Sequence, residues 1–176
     1  MKKPKMTFGK FILELKNFRE IKGHDDSLPF EGELYCNGVH IAGCWNDGWG
    51  GDANVKPVIG NLKLYNEVSK IVCATKWDCG KFALNYSIPM VCDLLACDNE
   101  AYEWVKREQK NHLVFKCPNE RLTSFSFQKG GKKIPIAELL RTATGVALIK
   151  KSIAEHTAKN EILLNSNIRY PKVVLK

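Results

Sequence analysis

The sequence reads as an α+β protein, on three observations. The dipeptide Asn37-Gly38 sits between two runs of alternating side chains, the strongest short hairpin signal. Two further β-rich runs, 112–117 and 122–127, are joined by Pro118-Asn119-Glu120-Arg121 and read as a second hairpin. Apolar residues at helical spacing occupy 62–76, 98–111 and 146–159. The expected architecture is an antiparallel sheet built from the two hairpins and an N-terminal strand, packed against several helices. At 176 residues, with 44% hydrophobic and 26% charged side chains, the chain can bury a core without metals or disulfides. It is read as one domain spanning 1–176.

From Phe8 to Phe18 a strand is expected, because Phe11, Leu13 and Leu15 alternate with Lys10, Glu14 and Lys16, Ile12 breaking the pattern. The polar stretch 23–29, with His24, Asp25 and Asp26, reads as a solvated turn rather than a catalytic or metal cluster, since nothing else in the sequence recommends the latter. A two-residue turn at Asn37-Gly38 pairs Cys36 with Val39, Leu34 with Ile41, Gly32 with Gly43 and Phe30 with Trp45 on an oily face. It sets Tyr35 against His40, Glu33 against Ala42 and Glu31 against Cys44 on a polar one.

The run Asn46-Asp47-Gly48-Trp49-Gly50-Gly51-Asp52 follows. Its glycines allow the backbone amides to turn inward as an anion-binding nest, or serve a tight connection that needs them for steric reasons alone. Trp49, flanked by glycines, is either folded back as a plug or presented as a stacking platform. The candidate ligand- or partner-binding residues are therefore Trp45, Asp47, Trp49, Gly50, Gly51 and Asp52.

Phe30, Leu34-Tyr35, Asn37-Gly38, Asn46-Asp47-Gly48 and Gly50-Gly51 together form a pattern that resembles one shared by small, mostly uncharacterised proteins of phages and other mobile elements. Phe82-Ala83-Leu84-Asn85-Tyr86 and Ile162-Leu163-Leu164-Asn165 fit it more loosely. The resemblance implies a setting, a mobile element inside a bacterium, and no particular activity or site residue.

Further along, a helix over 62–76 should bury Leu64, Val68, Ile71, Val72 and Thr75. The segment 52–60 separates it from the glycine-rich loop. Trp77-Asp78-Cys79-Gly80 reads as a turn, and Phe82, Leu84 and Tyr86 as a short extended piece. Ser87 is placed to cap a helix through Leu95, and Asp98 to restart one to Asn111. The latter should bury Tyr102, Trp104 and Val105 and expose Lys106, Arg107 and Lys110. Lys129-Gly130-Gly131-Lys132-Lys133 reads as a flexible basic loop, suited to phosphates or simply solvated. Pro135 opens a helix that Gly145 closes. The next, from Val146 to Lys159, carries Ile149, Ile153 and Ala154 inward and Lys150 and Lys151 outward. Residues 161–168 form a closing strand or an irregular tail.

The net charge of +8 is unevenly placed. Residues 1–22 carry +5, residues 23–103 carry −7 and residues 104–176 carry +10. Such a C-terminal portion either forms a basic face, whose partners are nucleic acids or acidic proteins, or pairs with the acidic middle. The candidate basic surface comprises Lys106, Arg107, Lys110, Lys129, Lys132, Lys133, Lys150 and Lys151. Seven cysteines fit no zinc spacing, and in a reducing compartment read as free thiols. No metal or cofactor is expected. Charged residues interrupt every apolar run, so a cytosolic protein with no membrane partner is expected, and the resemblance implies that the cytoplasm is that of a bacterial host cell.

For catalysis, His40 and Cys44 lie about 13 Å apart along one strand, out of hydrogen-bonding reach. Asp47, Asp52, Asn46 and Asn54 match no calcium loop. Glu31 and Glu33 point the same way about 7 Å apart, as acid–base pairs or as solvated glutamates. A binder asks less of the sequence. The reading is a non-enzymatic binding protein engaging an acidic partner, nucleic acid or, in the phage or mobile-element setting that the resemblance implies, a host defence nucleoprotein, in the manner of anti-CRISPR inhibitors. The alternatives are a nucleotide-sequestering binder using the Trp45–Asp52 loop, and an enzyme whose site the sequence does not display.

Overall fold

The computed structural model describes residues 2–24, 26–78 and 83–168. The class is α+β with antiparallel sheets, as the sequence predicts. The chain forms two compact units, Lys2–Glu100 and Ala101–Lys176.

The N-terminal unit is built on a meander of five antiparallel strands in chain order. They are β1 (Met6–Phe8), β2 (Phe11–Glu20), β3 (Phe30–Cys36), β4 (Val39–Asn46) and β5 (Asn54–Pro57). The expected first strand is itself a hairpin, because Gly9, at φ 57°, reverses the chain before Phe11. Ile12 then simply points outward between buried Phe11 and Leu13. Asn37 and Gly38 both have positive φ, 48° and 86°, as a type I′ turn requires. Asn37 also ties this turn to β2: its Oδ1 accepts from the Ile12 N–H at 2.9 Å and its Nδ2 donates to the Lys10 carbonyl at 3.2 Å.

The hairpin register departs from the expected one beyond its second pair. Cys36 faces Val39 and Tyr35 faces His40, but Leu34 faces Ala42. Ile41 is thus the extra residue of a β-bulge, and both Ile41 and Ala42 are buried. Every side chain beyond the bulge changes face relative to the expectation. Cys44 and Asn46 turn inward and Trp45 turns out, opposite Glu31 rather than Phe30. The outer face then reads, across the strands, Glu14–Tyr35–His40, Lys16–Glu33–Gly43–Lys56 and Arg19–Glu31–Trp45–Asn54.

The inner face, with Leu13, Leu15, Phe30, Leu34 and Cys36, belongs to one apolar core with α1 (Leu62–Ala74) and the first part of α2 (Ile88–Glu108). A ribbon of β6 (Lys76–Asp78) and β7 (Ala83–Asn85) comes between the two helices in sequence. Residues 79–82 of the expected turn and extended piece lie outside the described residues. On α1, Leu64, Tyr65, Val68 and Val72 form the inward seam, while Ile71 lies at its margin and is 43% exposed. Ser87 caps α2 as expected, its Oγ accepting from the Met90 N–H at 3.2 Å. The expected break between Leu95 and Asp98 is absent. Asn99, buried, donates its Nδ2 to the Leu95 carbonyl at 2.7 Å, so its polar group is satisfied within an unbroken helix.

The C-terminal unit contains β8 (Leu113–Lys116), β9 (Leu122–Phe125), β10 (Phe127–Lys129), β11 (Lys132–Ile134), α3 (Ile136–Leu139), α4 (Ala143–Thr157) and β12 (Ile162–Leu163). β8 is central in a sheet of order β12-β8-β9, and β10 and β11 pair separately. Leu113, Phe115, Ile136, Leu139 and Ile149 form its core. Asn165 secures the end of the described chain: its Oδ1 accepts from the Val114 N–H at 2.6 Å and its Nδ2 donates to the His112 carbonyl at 2.9 Å.

Gly145 does not close a helix. It lies in the first turn of α4, where the Thr142 Oγ1 accepts from its N–H at 3.0 Å, and a Cβ there would overlap the Leu139 carbonyl. Its role is close approach of α3 and α4. The inward face of α4 is accordingly Gly145, Ile149 and Ser152, with Ile153 half-buried against the core as expected and Ala154 exposed. Gly145→Ala should therefore lower the unfolding free energy by about 2 kcal/mol or more. Gly60→Ala, where a Cβ meets nothing within 4 Å, should change it by less than about 0.5 kcal/mol. Urea denaturation followed by circular dichroism compares the two.

Candidate functional site

Two loops of the N-terminal unit are bound to each other through main chain. The Asp47 carbonyl accepts from the His24 N–H at 3.0 Å, and the Gly48 carbonyl from those of Asp26 and Ser27 at 3.0 and 3.2 Å. Gly48 has φ 86°, and a Cβ on it would overlap the His24 backbone, so both conformation and space demand glycine. Beneath them lies Asn46, 3% exposed. Its Oδ1 accepts from the Gly48 N–H at 2.9 Å and the Ser27 hydroxyl at 3.0 Å. Its Nδ2 donates to the Gly51 carbonyl at 2.9 Å and to Asp93 Oδ1, on α2, at 3.2 Å. Asp93 Oδ2 accepts from the Ala53 N–H at 2.8 Å. The loop thus offers its neighbour carbonyls, and the Gly48 amide is taken by Asn46.

The tip of this loop carries Asp47, Trp49, Gly50, Gly51 and Asp52, all exposed. The Trp49 indole is 64% exposed and lies against the His24 imidazole, ring centroids 3.2 Å apart. It is neither a plug nor a bare platform. Trp45 is not at this tip; it stands on the outer face of the sheet, 40% exposed. Asp25, beside His24, lies outside the described residues.

Six of the seven cysteines are described, and none of the six is in a disulfide. Cys36, Cys44 and Cys92 are buried, Cys73 and Cys97 exposed and Cys117 half-buried, all free. A hydrogen bond with Cys44 and burial push the Cys92 thiol well above its ordinary range, which makes it a poor nucleophile. Among the described residues, no group of three or more His, Cys, Asp or Glu side chains is placed to hold a metal ion. No described helix is long and apolar enough to cross a membrane.

Charge divides between the units. Residues 2–100 hold twelve basic and thirteen acidic side chains, a net −1, and residues 101–176 hold fifteen and six, a net +9. The N-terminal cations are engaged at home: Lys5 and Lys16 with Glu14, each at 3.1 Å, and Arg19 with Glu31. In the C-terminal unit all eight basic residues singled out from the sequence are exposed, but they differ in company. Lys106 and Arg107 lie in the last turn of α2, where cations are favoured, and meet Glu103 and Glu108. Lys151 meets Glu155 one turn along α4, and its neighbour Lys150 also has an interaction.

Lys129, Lys132 and Lys133 are gathered on the β10–β11 hairpin. Gly130 and Gly131, at φ 58° and 76°, form its two-residue turn, which sets Lys129 directly opposite Lys132. Among the described residues no carboxylate lies within ion-pair distance of these three or of Lys110. Lys133 also lines a recess of about 330 Å³ with Asn111, His112, Ile134 and Pro135. Arg121 and Arg141, exposed and likewise unpaired among the described residues, are further cations of this unit that run-based reading passes over. The joint role of Asn46 and Asp93 is not apparent from the sequence either, since a buried amide and a helix carboxylate carry no spacing signal. The chain matches no family model, no curated protein and no solved structure.

Burial raises Asp93 above its ordinary 3.8, partly offset by the Ala53 N–H and the Asn46 amide. The folded state therefore holds this proton more tightly than the unfolded chain. The stability it contributes is complete below pH 3.8 and is lost as pH rises through the raised value. Asp93→Asn should remove that decline whatever constant offset it introduces, as urea midpoints measured across the acid range would reveal.

Proposed function

We propose that this chain is a non-enzymatic binding protein whose C-terminal unit engages nucleic acid, free or within a nucleoprotein. The observation that carries the reading is the cross-strand pair Lys129–Lys132, with Lys133 beside it, on an exposed hairpin. Like charges held directly opposite each other in an antiparallel pair cost about 0.2–1 kcal/mol. Folding gains nothing from them, since none of the three is buried. A phosphate backbone would remove the repulsion, and the bare Gly130-Gly131 turn lets it approach the main chain. The net +9 of the unit supplies the longer-range attraction.

The setting proposed with this function is a phage or mobile element. Occupying a host defence nucleoprotein there, as anti-CRISPR proteins do, requires no reaction centre. Nucleotide sequestration at the Trp49 turn has weaker support, because His24 already covers a face of that indole.

Fluorescence anisotropy with a labelled oligonucleotide tests the reading. Affinity should fall steeply with salt, and reversing Lys129, Lys132 and Lys133 to Glu should reduce the slope of log K against log salt by roughly 2–3. Lys132→Glu alone should weaken binding at least tenfold while leaving the unit as stable as before or up to about 0.5 kcal/mol more so, since it converts a repulsive cross-strand pair into an attractive one. Binding indifferent to salt or to these reversals would sink the proposal.

A further inference from the structure

The outer face of the N-terminal sheet has a hole in its carpet of side chains. Gly43 lies in the row Lys16–Glu33–Gly43–Lys56, and the space above it is part of a socket of about 500 Å³. The fold does not need this gap. At Gly32, on the same pair of strands, an added Cβ would come within 3.1 Å of Leu15, so packing explains that glycine. At Gly43 an added Cβ would meet nothing within 4 Å, and φ is not positive. A side chain would fit there, yet the backbone is bare. The volume falls in the range of ligand pockets.

Three walls give the socket its chemistry. Trp45 stands on β4 next to the gap, 40% exposed, and among the described residues no ring is stacked on it. Glu31 is neutralised by Arg19, whose Nε donates to its Oε1. Glu33 is not neutralised. Its Oε2 accepts from Asn17 Nδ2 at 2.8 Å and from the Tyr35 hydroxyl at 3.1 Å, both uncharged donors. The nearest strand neighbour that could serve, Lys16, gives its amine to Glu14 at 3.1 Å. No cation lies within ion-pair distance of Glu33 among the described residues. The hydrogen bond to Glu33 raises the Tyr35 phenol.

The socket therefore combines a carboxylate held by two neutral donors, with no cation in ion-pair reach among the described residues, a half-exposed indole and a bare strip of backbone. The charged side chains that line it, Arg19, Glu31 and Glu33, sum to −1, while Lys16 and Lys56, at the ends of the row, are not part of its lining, so a cation suits it better than an anion. A compact ammonium would satisfy Glu33 but leave the indole wall unused. A guanidinium is planar, always charged, rich in in-plane donors and stacks on aromatic faces. We infer that this socket binds a guanidinium group, as at the end of an arginine side chain, laid against Trp45 over Gly43 and paired with Glu33. Arg19 on Glu31 would then have a counterpart two residues along β3, on the same face. The site belongs to the N-terminal unit and stands independently of the lysine hairpin.

The test is an NMR titration of the ¹⁵N-labelled full chain with N-acetyl-arginine methylamide. The readouts are the Trp45 indole N–H, assigned with Trp45→Phe, and the Gly43 amide. Both should shift saturably. The citrulline analogue, of the same shape without charge, should bind at least tenfold more weakly, and the lysine analogue more weakly than arginine. Glu33→Gln should abolish the shifts. So should Gly43→Val, which fills the gap without a steric cost to the strand, its folding verified by unchanged resonances elsewhere. Binding of capped but not free arginine would identify a peptide side chain as the source, and equal binding of both a small guanidino compound. The inference is overturned if citrulline binds as well as arginine, if Gly43→Val binds like the unmodified protein, or if no saturable shift occurs.

Discussion

The side-chain amide of Asn46 is the point on which the N-terminal unit's surface depends. It is buried, and a buried amide without partners is costly, of the order of 1–3 kcal/mol for each unmet group. Here both ends are met, by the Ser27 hydroxyl, the Gly48 N–H, the Gly51 carbonyl and Asp93. These partners come from two loops and a helix, so satisfying one side chain fixes three segments at once. The Trp49 turn is exposed but not loose on that account: its stem is clamped through Gly48 and Gly51, and its tip rests on His24.

Asn46 points inward only because of the bulge at Ile41. One extra residue in β4 exchanges the faces of everything that follows, placing Cys44 and Asn46 inside and Trp45 outside. The same event thus creates the loop clamp and raises the indole wall of the outer-face socket. It was not legible in the sequence. Bulges often announce themselves with glycine, whereas this one falls on Ile41-Ala42, and the only trace is two apolar residues in succession. The turn itself was legible, because Asn37-Gly38 demands positive φ, and so were the first two cross-strand pairs.

The other departures have the same character, in that tertiary demands outvote a local signal. Asp98 resembles a helix start, yet α2 continues through it because Asn99 satisfies its amide on Leu95 within the helix. Gly145 resembles a helix end, yet it serves a crossing where any Cβ would strike Leu139. At Lys129–Lys133 the basic character and the turn residues were plain, but the flanking strands have three residues each, too few for periodicity to register. Only the pairing brings Lys129 and Lys132 face to face. The charge asymmetry along the sequence was legible too. Its meaning changes in the fold, because the basic N-terminus shares a unit with the acidic middle and is largely compensated there, which leaves the excess to residues 101–176.

The two proposed sites are opposite in what they lack. Among the described residues the lysine hairpin has cations without an anion, and the socket has a carboxylate without a cation. Random surface composition readily yields unpaired lysines, since solvation serves them well and surface pairs contribute little. It less readily yields a carboxylate pinned by two neutral donors beside a bare gap and an unstacked tryptophan. A partner that presented only phosphates would leave the second site idle, and one that presented only arginines would be repelled by the first. A nucleoprotein presents both, with phosphates along its nucleic acid and arginines in the protein that holds it. If both sites bind as proposed, that combination accounts for the pair of them with a single class of target, and it does so on charge and shape alone, without asking either site for catalysis.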